Sequence, residues 1–157
     1  MLRAEARRGS TVTLALGRVG TEHDEHAAFL SALTEARLPT DDLDGGGRYF
    51  AFYENRALFG FGGLEGAGPD QMVRSLVIPL SVRGRGFGQA IVHELVEQAK
   101  ADGIEQLWLL TTSADGFFAK LGWHTADRAS APDAIRTSRQ FAGLCPSSAV
   151  LMCRRLA

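Results

Sequence analysis

The chain has 157 residues, of which 45% are apolar, and its 17 Lys and Arg residues are balanced by 18 Asp and Glu residues. This length and apolar content suit one domain with a sizeable core, and the balanced charge excludes an overall field that would attract nucleic acid or a membrane surface. No charged region followed by an apolar one opens the sequence, and no apolar run is long enough to span a membrane. We therefore expect a cytoplasmic protein with no membrane partner.

The N-terminal part of the chain predicts a tail, a strand and a helix. Residues 1–10 are arginine-rich and show no clear periodicity, so we expect a disordered tail followed by one domain over 11–157. Alternating apolar residues predict a strand over 11–16, and a helix follows. His23 and His26 are three positions apart on that helix, but no third ligand accompanies them, so we expect surface histidines and no metal site.

An acidic loop over 38–47 follows the helix and contains Asp41 and Asp42. Its acidic residues do not follow the alternating pattern of a calcium loop. Two interpretations remain. The loop is either a solvated connector or an acceptor-site loop whose carboxylates attract a cationic amine.

The rest of the chain alternates between strand and helix signals. A hairpin and a third antiparallel strand are followed by helical and strand patterns in turn, which predicts a mixed sheet with helices on both faces. The predicted strands cover 49–53, 57–64, 72–78, 107–110, 123–128 and 149–154, and the predicted helices cover 89–100, a segment after Thr112, and 132–141. The last two strands are expected to pair with each other.

A loop that holds Gly84, Gly86 and Gly88 lies between a buried strand and a helix. Glycine lets the backbone approach a ligand closely, and the first N–H groups of a helix have no partners within it, so this arrangement predicts an anion site. A P-loop would need Lys-Ser or Lys-Thr after the last glycine, where Gln89 and Ala90 stand instead. A dinucleotide fingerprint would need its third glycine one residue later.

The spacing that does fit is R-x-x-G-x-G, filled by Arg83, Gly86 and Gly88, and in this the sequence resembles the GNAT family of acetyl-CoA-dependent N-acetyltransferases. A second segment, 114–123, is similar to the family's A-x-x-F-Y-x-K-x-G-F helix. The resemblance implies the α/β (α+β) GNAT fold, which is a single mixed, mostly antiparallel sheet with a central parallel pair splayed at the cofactor site. The family usually has two N-terminal helices, and only one is found here.

The resemblance also implies where acetyl-CoA would bind. The backbone of the glycine loop would hold the pyrophosphate, while the strand before it would pair with the pantetheine amides and supply an N–H to the developing oxyanion. The implied cofactor-binding residues are Leu76, Val77, Ile78, Arg83, Gly84, Arg85, Gly86, Phe87, Gly88, Thr112 and Phe118.

Glu65, at the end of a central strand, is the candidate general base. The alternative is an ordinary strand-end carboxylate paired with Arg74. The family often has a tyrosine that protonates the leaving thiolate where this chain has Phe118, which cannot donate a proton. A non-catalytic acyl-CoA-binding or regulatory module therefore remains the alternative function.

Further segments, among them 38–43 and 134–149, look like the GNAT subgroup labelled arsenic-resistance N-acetyltransferase. That resemblance implies a small amino-acid-like acceptor, whose oxyanion an arginine would hold. The implied substrate-binding residues are Asp41, Asp42, Arg74 and Arg136, with Arg139 as a further candidate. Cys145 and Cys153 have no zinc spacing and are expected to be structural thiols, with arsenite ligation as the other possibility. No nucleic-acid partner is expected, and a homodimer is compatible with the fold.

Overall fold

The computed structural model describes residues 2–7, 10–19, 24–43, 46–144 and 148–156. Over these residues, eight strands form one sheet that is flanked by four α-helices. The strands are β1 (Leu2–Arg7), β2 (Ser10–Arg18), β3 (Gly47–Glu54), β4 (Ala57–Glu65), β5 (Asp70–Val77), β6 (Gln106–Thr111), β7 (His124–Thr125) and β8 (Val150–Arg155). The helices are α1 (Asp24–Glu35), α2 (Phe87–Ala101), α3 (Asp115–Lys120) and α4 (Asp133–Arg136).

The sheet is mixed, with the strand order β1-β2-β3-β4-β5-β6-β8-β7. Every neighbouring pair is antiparallel except β5 and β6, which are parallel. The recorded pairing of β5 with β6 runs from Asp70–Gln106 to Met72–Trp108, although both strands continue beyond it. The expected mixed sheet with a splayed central parallel pair is thus confirmed.

Helices cover both faces of the sheet because successive strand residues point to opposite sides. On one face α2 packs its apolar side, including Ile91 and Leu95, against β4 and β5. On the other face, Phe29 and Leu33 of α1 pack with Phe61 and other core residues. The same side carries α4, whose Ile135 packs with Met72, Trp108 and Leu151.

The structure differs from the sequence expectations at three places. Leu2–Arg7 form a strand where a disordered tail was expected, and this strand pairs with β2 along its whole length. The strand expected over 123–128 is reduced to His124–Thr125, although it pairs with β8 as expected. The helix expected over 132–141 ends at Arg136. His23 and Cys145 lie outside the described residues.

Short polar side chains account for the two shortened elements, because they offer the backbone alternative hydrogen bonds. After β7, the carboxylate of Asp127 accepts from the N–H of Ala129 and starts a 3₁₀ turn. After α4, the hydroxyl of Ser138 donates to the carbonyl of Ile135 at 2.7 Å and accepts from the N–H of Phe141 at 3.2 Å. Each bond replaces the backbone pairing that would have continued the element.

Helix α2 lies unusually close to β4 because Gly60 and Gly62 face it. A Cβ atom on Gly60 would stand 2.5 Å from Cδ1 of Ile91 and 2.9 Å from the carbonyl oxygen of Val77. A Cβ atom on Gly62 would stand 2.9 Å from Cδ1 of Leu95. These glycines are therefore needed for close packing between the helix and the sheet.

We expect Gly60→Ala to lower the free energy of unfolding by about 1–3 kcal/mol, because the added methyl group meets backbone as well as side-chain atoms. The matched control is Gly116→Ala in α3, where no heavy atom lies within 4 Å of the added Cβ. The control should be neutral or slightly stabilising, since alanine favours the helix. Urea unfolding of both variants measures the difference, and equal midpoints would contradict the close approach of α2.

A half-buried hydrogen bond joins α1 to β3. The hydroxyl of Tyr53 donates to the carboxylate of Glu25. Burial, this hydrogen bond and the negative charge of Glu25 together raise the pKa of Tyr53 to about 12 from its ordinary value of 10.0. The folded state thus favours the protonated phenol.

The consequence is a loss of stability at alkaline pH. Because the folded pKa of Tyr53 lies above the unfolded one, its contribution is fully present below about pH 10 and is lost as the pH rises toward about 12. Tyr53→Phe cannot ionise, so its unfolding free energy should fall less steeply than that of the wild type over the same pH range. Urea unfolding at several alkaline pH values tests this, and parallel curves for the two proteins would refute it.

Candidate functional site

Strand β5 contains a bulge near the point where it leaves β6. Gly63 pairs with Arg74 but Phe61 pairs with Val77, so β5 has one residue more than β4 between these two pairs. Ser75 lies in this interval with a φ of +55°, which is a left-handed backbone conformation that residues other than glycine rarely adopt. The bulge bends β5 in the segment that continues to Ile78.

The glycine loop connects this bent strand to α2. Pro79 leads into a 3₁₀ turn, Leu80–Val82, and Gly84 and Gly86 follow with φ values of +82° and +77°. No heavy atom lies within 4 Å of the place where a Cβ would stand on either glycine, so the loop is open around both. Gly86 is the N-cap residue of α2, and the loop therefore delivers the unpaired first N–H groups of the helix to this opening.

Two arginines of the loop have different surroundings. Arg83 donates from Nε to the carbonyl oxygen of Ile78 at 2.8 Å, so its side chain ties the loop to the end of the strand. The guanidinium of Arg85 lies 4.9 Å from the ring centroid of Phe87. Phe87 itself is buried and stacks on Phe59 at 4.4 Å, which anchors the first residue of α2 in the core.

Helix α3 lies beside the start of α2. Phe117 is partly exposed, and its Cζ would be 3.3 Å from a Cβ on Gly88. Phe118 is buried and its ring meets that of Trp123 edge to face at 5.6 Å. Thr112 is exposed in the loop after β6.

The structure thus brings together the candidate cofactor residues of the strand end, the glycine loop and α3. The hydroxyl oxygen of Thr111 supports the start of α3, because it accepts from the N–H of Ala114 at 3.0 Å.

A second set of candidate residues forms a buried charged cluster around Arg74. The side chains of Arg74 and Asp42 are both fully buried, with two hydrogen bonds of 2.5 and 2.6 Å between the guanidinium and the carboxylate. Arg74 also donates to Oε2 of Glu65 at 3.1 Å, and the Glu65 side chain is 11% exposed. The ring of Tyr49 lies 5.6 Å from the guanidinium carbon.

Burial alone would lower the pKa of Arg74, because it disfavours the charged form. The hydrogen bonds to Asp42 and the nearby negative charges outweigh burial, so the net effect raises the pKa of Arg74 above its ordinary value. The guanidinium is therefore firmly charged, and the cluster is an ion pair rather than a neutral contact.

The remaining acceptor candidates lie on the surface. Asp41 is exposed, and its carbonyl oxygen accepts from Arg139 at 3.3 Å. Arg136 is exposed and pairs with Asp133 of the same helix. The structure thus separates the buried Asp42 and Arg74 from the exposed Asp41 and Arg136.

Three residues of the cluster had no place in the sequence expectations. Ser75 accepts from Nε of Arg74 at 3.1 Å. With its amide oxygen turned toward the guanidinium, Gln140 accepts from Nε and Nη2 of Arg74 at 3.2 and 3.1 Å. Tyr49 is the third. Each lies in a strand or near a predicted helix that has no local polar motif, so only the long-range packing reveals it.

Among the described residues, no three His, Cys, Asp or Glu side chains are grouped so that they could hold a metal ion. No helix in the described part of the chain is both long and apolar enough to cross a membrane.

Comparison with known structures finds the same fold in several acetyltransferases. N-acetylglutamate synthase from Neisseria gonorrhoeae, complexed with coenzyme A and N-acetyl-glutamate, matches 92% of this chain with a TM-score of 0.72 and 19% identity. The match covers 35% of the synthase, so this chain corresponds to about a third of that protein.

Two other structures match over nearly their whole length. One is Rv2747 from Mycobacterium tuberculosis, in complex with CoA. The match covers 91% of this chain and 99% of the Rv2747 chain, with a TM-score of 0.73 and 16% identity. A GNAT family acetyltransferase from Elizabethkingia anophelis with acetyl-CoA bound covers 91% and 98%, with a TM-score of 0.65 and 12% identity. At such identities these likenesses establish the fold alone.

Sequence comparisons give the family. No curated protein sequence matches the chain. The family model described as an acetyltransferase (GNAT) domain matches residues 45–125, which is more than half of the chain and includes β3 to β7. The chain therefore belongs to the GNAT acetyltransferase family.

Proposed function

We propose that this protein is an acetyl-CoA-dependent N-acetyltransferase that acts on a small amine or amino-acid-like acceptor. The observation that carries the proposal is the meeting of three features at one place: the bent end of β5, the open glycine loop and the start of α2. All three lie where β5 is no longer paired with β6. Family membership and neighbours with CoA or acetyl-CoA bound give independent support.

The glycine loop suits the pyrophosphate of acetyl-CoA. The backbone from Gly84 to Gly88 can present N–H groups to the phosphate oxygens, and the open space around Gly84 and Gly86 leaves room for them. Arg85 adds positive charge at the loop, while Arg83 holds the loop against Ile78.

The strand segment 76–78 suits the pantetheine arm. Over the described residues its pairing with β6 has ended, so its backbone groups on that side can bond to the amides of an extended ligand. An N–H of this segment would also stabilise the oxyanion of the reacting thioester, which is typically worth about 10²–10³ in rate. Thr112 and Phe118 would line the opposite side of the gap.

Glu65 is the proposed general base. One carboxylate oxygen is bonded to Arg74, and the side chain retains partial exposure, so the other oxygen can accept a proton from the amine directly or through a water molecule. The amine nitrogen then forms the new C–N bond as the C–S bond breaks. CoA leaves as a thiolate, which takes its proton from water because Phe118 has none to give.

The lack of a phenol at position 118 supports a second candidate. Phe118 is buried against Trp123, and a protein that had lost the acid could bind acyl-CoA without turning it over. Such a regulatory module would keep the glycine loop and bind the same ligand. The two candidates differ only in turnover.

The acceptor is the least constrained part of the proposal. Asp41 and Arg136 are exposed and available to an acceptor, whereas Asp42 and Arg74 are occupied with each other. The arsenic-resistance subgroup rests on the sequence segments quoted above and would suit an acceptor that bears an oxyanion. We further infer a single domain that includes β1, because this strand pairs with β2 of the same sheet, and a homodimer is a compatible assembly.

The first measurement is thermal stability with acetyl-CoA, CoA, NAD and ATP. A ligand at about 100 times its Kd should stabilise the native state by about 2.7 kcal/mol, so a shift with the two CoA ligands alone is expected. A shift with none of them would refute the cofactor assignment. Gly86→Ala, whose backbone requires a φ of +77°, should reduce the shift, whereas Gly116→Ala should retain it.

The second measurement is CoA release from acetyl-CoA in the presence of a panel of small amines and amino acids. Release that depends on the acceptor supports the N-acetyltransferase. Binding of acetyl-CoA without release for any acceptor supports the non-catalytic module instead.

A further inference from the structure

Arg74 contacts side chains from four parts of the chain, two of which are more than thirty residues away in sequence. Its partners are Glu65 at the end of β4, Ser75 in the bulge of β5, Asp42 in the loop before β3 and Gln140 after α4. These segments surround the place where β5 leaves β6. A single side chain thus connects the bulge to 38–43 and 140–144. We call these two the acceptor-side segments, because both lie in stretches whose sequence resemblance implies an amino-acid-like acceptor.

The guanidinium has no donor left for a substrate. Arginine has five N–H groups, and each of them meets an acceptor. Two bond to Asp42, one to Glu65 and one to Gln140, and the N–H on Nε is shared between Ser75 and Gln140. Its side chain is also fully buried. An acceptor oxyanion could therefore reach Arg74 only by displacing a bonded carboxylate, which argues against the substrate-binding role expected from the sequence.

We propose that Arg74 and Asp42 are positioning residues, which fix Glu65 and the two acceptor-side segments around the bulge for acetyl transfer. The proposal rests on the function proposed above. Asp42 acts through Arg74: it binds both terminal nitrogens of the guanidinium and so sets the direction of the one N–H that holds Oε2 of Glu65. The second oxygen of Glu65 is thereby aimed consistently toward the reacting amine.

The key variant is Asp42→Asn, which keeps the shape of the side chain but removes its charge and one of its two acceptors. The matched control is Asp102→Asn, because Asp102 also pairs with a sheet arginine, Arg48, at the far end of α2. Both variants lose one carboxylate-arginine pair, and only the first is near the bulge. Retained far-UV circular dichroism checks the fold, and Asp42→Glu, which keeps the charge, replaces the Asn variant if that one does not fold.

The test is a double-mutant cycle on kcat. Glu65→Gln should lower kcat by about 10²-fold, and Asp42→Asn by about tenfold or more, whereas the Kd of acetyl-CoA should change less than about threefold in both. The double variant should be no slower than Glu65→Gln, because Asp42 acts through the same carboxylate. Asp102→Asn should retain wild-type kcat.

The outcomes separate this proposal from the function on which it rests. The positioning role would be overturned if the two losses of kcat multiplied in the double variant, or if Asp42→Asn kept the wild-type kcat. Either result would leave the proposed acetyltransferase activity intact. A wild-type protein without turnover would overturn the acetyltransferase, and with it any role of the cluster in catalysis. In Asp42→Asn, the backbone amides of both 38–43 and 140–144 should exchange hydrogen faster than in the wild type. An unchanged exchange rate in 140–144 would refute the connection through Arg74.

Discussion

The early separation of β5 from β6 is the constraint on which the rest of the candidate site depends. Neighbouring strands normally satisfy each other's backbone groups along their length, and here that exchange ends at Met72 and Trp108. The groups of β5 beyond this point need other partners. Arg83 supplies one by donating to the carbonyl of Ile78, and an extended ligand can supply others. The backbone N–H and C=O groups along this gap are therefore spaced as they would be for pairing with another strand, so an extended ligand can bond to them.

The bulge that opens this gap is held by side chains from elsewhere. The left-handed backbone of Ser75 costs roughly 1–2 kcal/mol relative to ordinary strand geometry, and such strain persists only where the surroundings enforce it. The hydroxyl of Ser75 is bonded to Arg74, and Arg74 is in turn held by Asp42. The gap beside β5 and the charged cluster next to it are therefore parts of one arrangement, in which a loop about thirty residues away in sequence supports the strand.

The features that could be predicted from the sequence are those that depend on a short, contiguous pattern of residues. The loop from Arg83 to Gly88 combines glycine spacing, a preceding apolar run and a following helical pattern, so its conformation is a local property, and the anion binding that we propose for it rests on the same pattern. The apolar face of α2 follows for the same reason, since Ile91 and Leu95 recur at helical spacing and are fully buried.

Properties that depend on distant contacts could not be predicted in this way. Asp42 and Arg74 are 32 positions apart, and no periodicity distinguishes a buried acidic residue from its exposed neighbour Asp41. Strand β1 alternates small alanines with charged residues, a weak strand signal that pairing with β2 makes effective. Just after α4, the hydroxyl of Ser138 donates to a backbone carbonyl of the helix, an outcome that helix propensity does not capture.

The chemistry of the cluster gives a reason for its charges. A buried ion pair is weak evidence for stability, because taking both charges out of water offsets much of their attraction, and apolar side chains of similar size often pack as well. Apolar side chains could not replace the hydrogen bond by which Arg74 holds one oxygen of Glu65 while the Glu65 side chain stays partly exposed. Two carboxylates and one guanidinium also leave a net negative charge, and Glu65 is the only one of the three that reaches solvent. A cationic amine that approached the bulge would therefore meet a negative charge at Glu65, the residue that we propose as the general base.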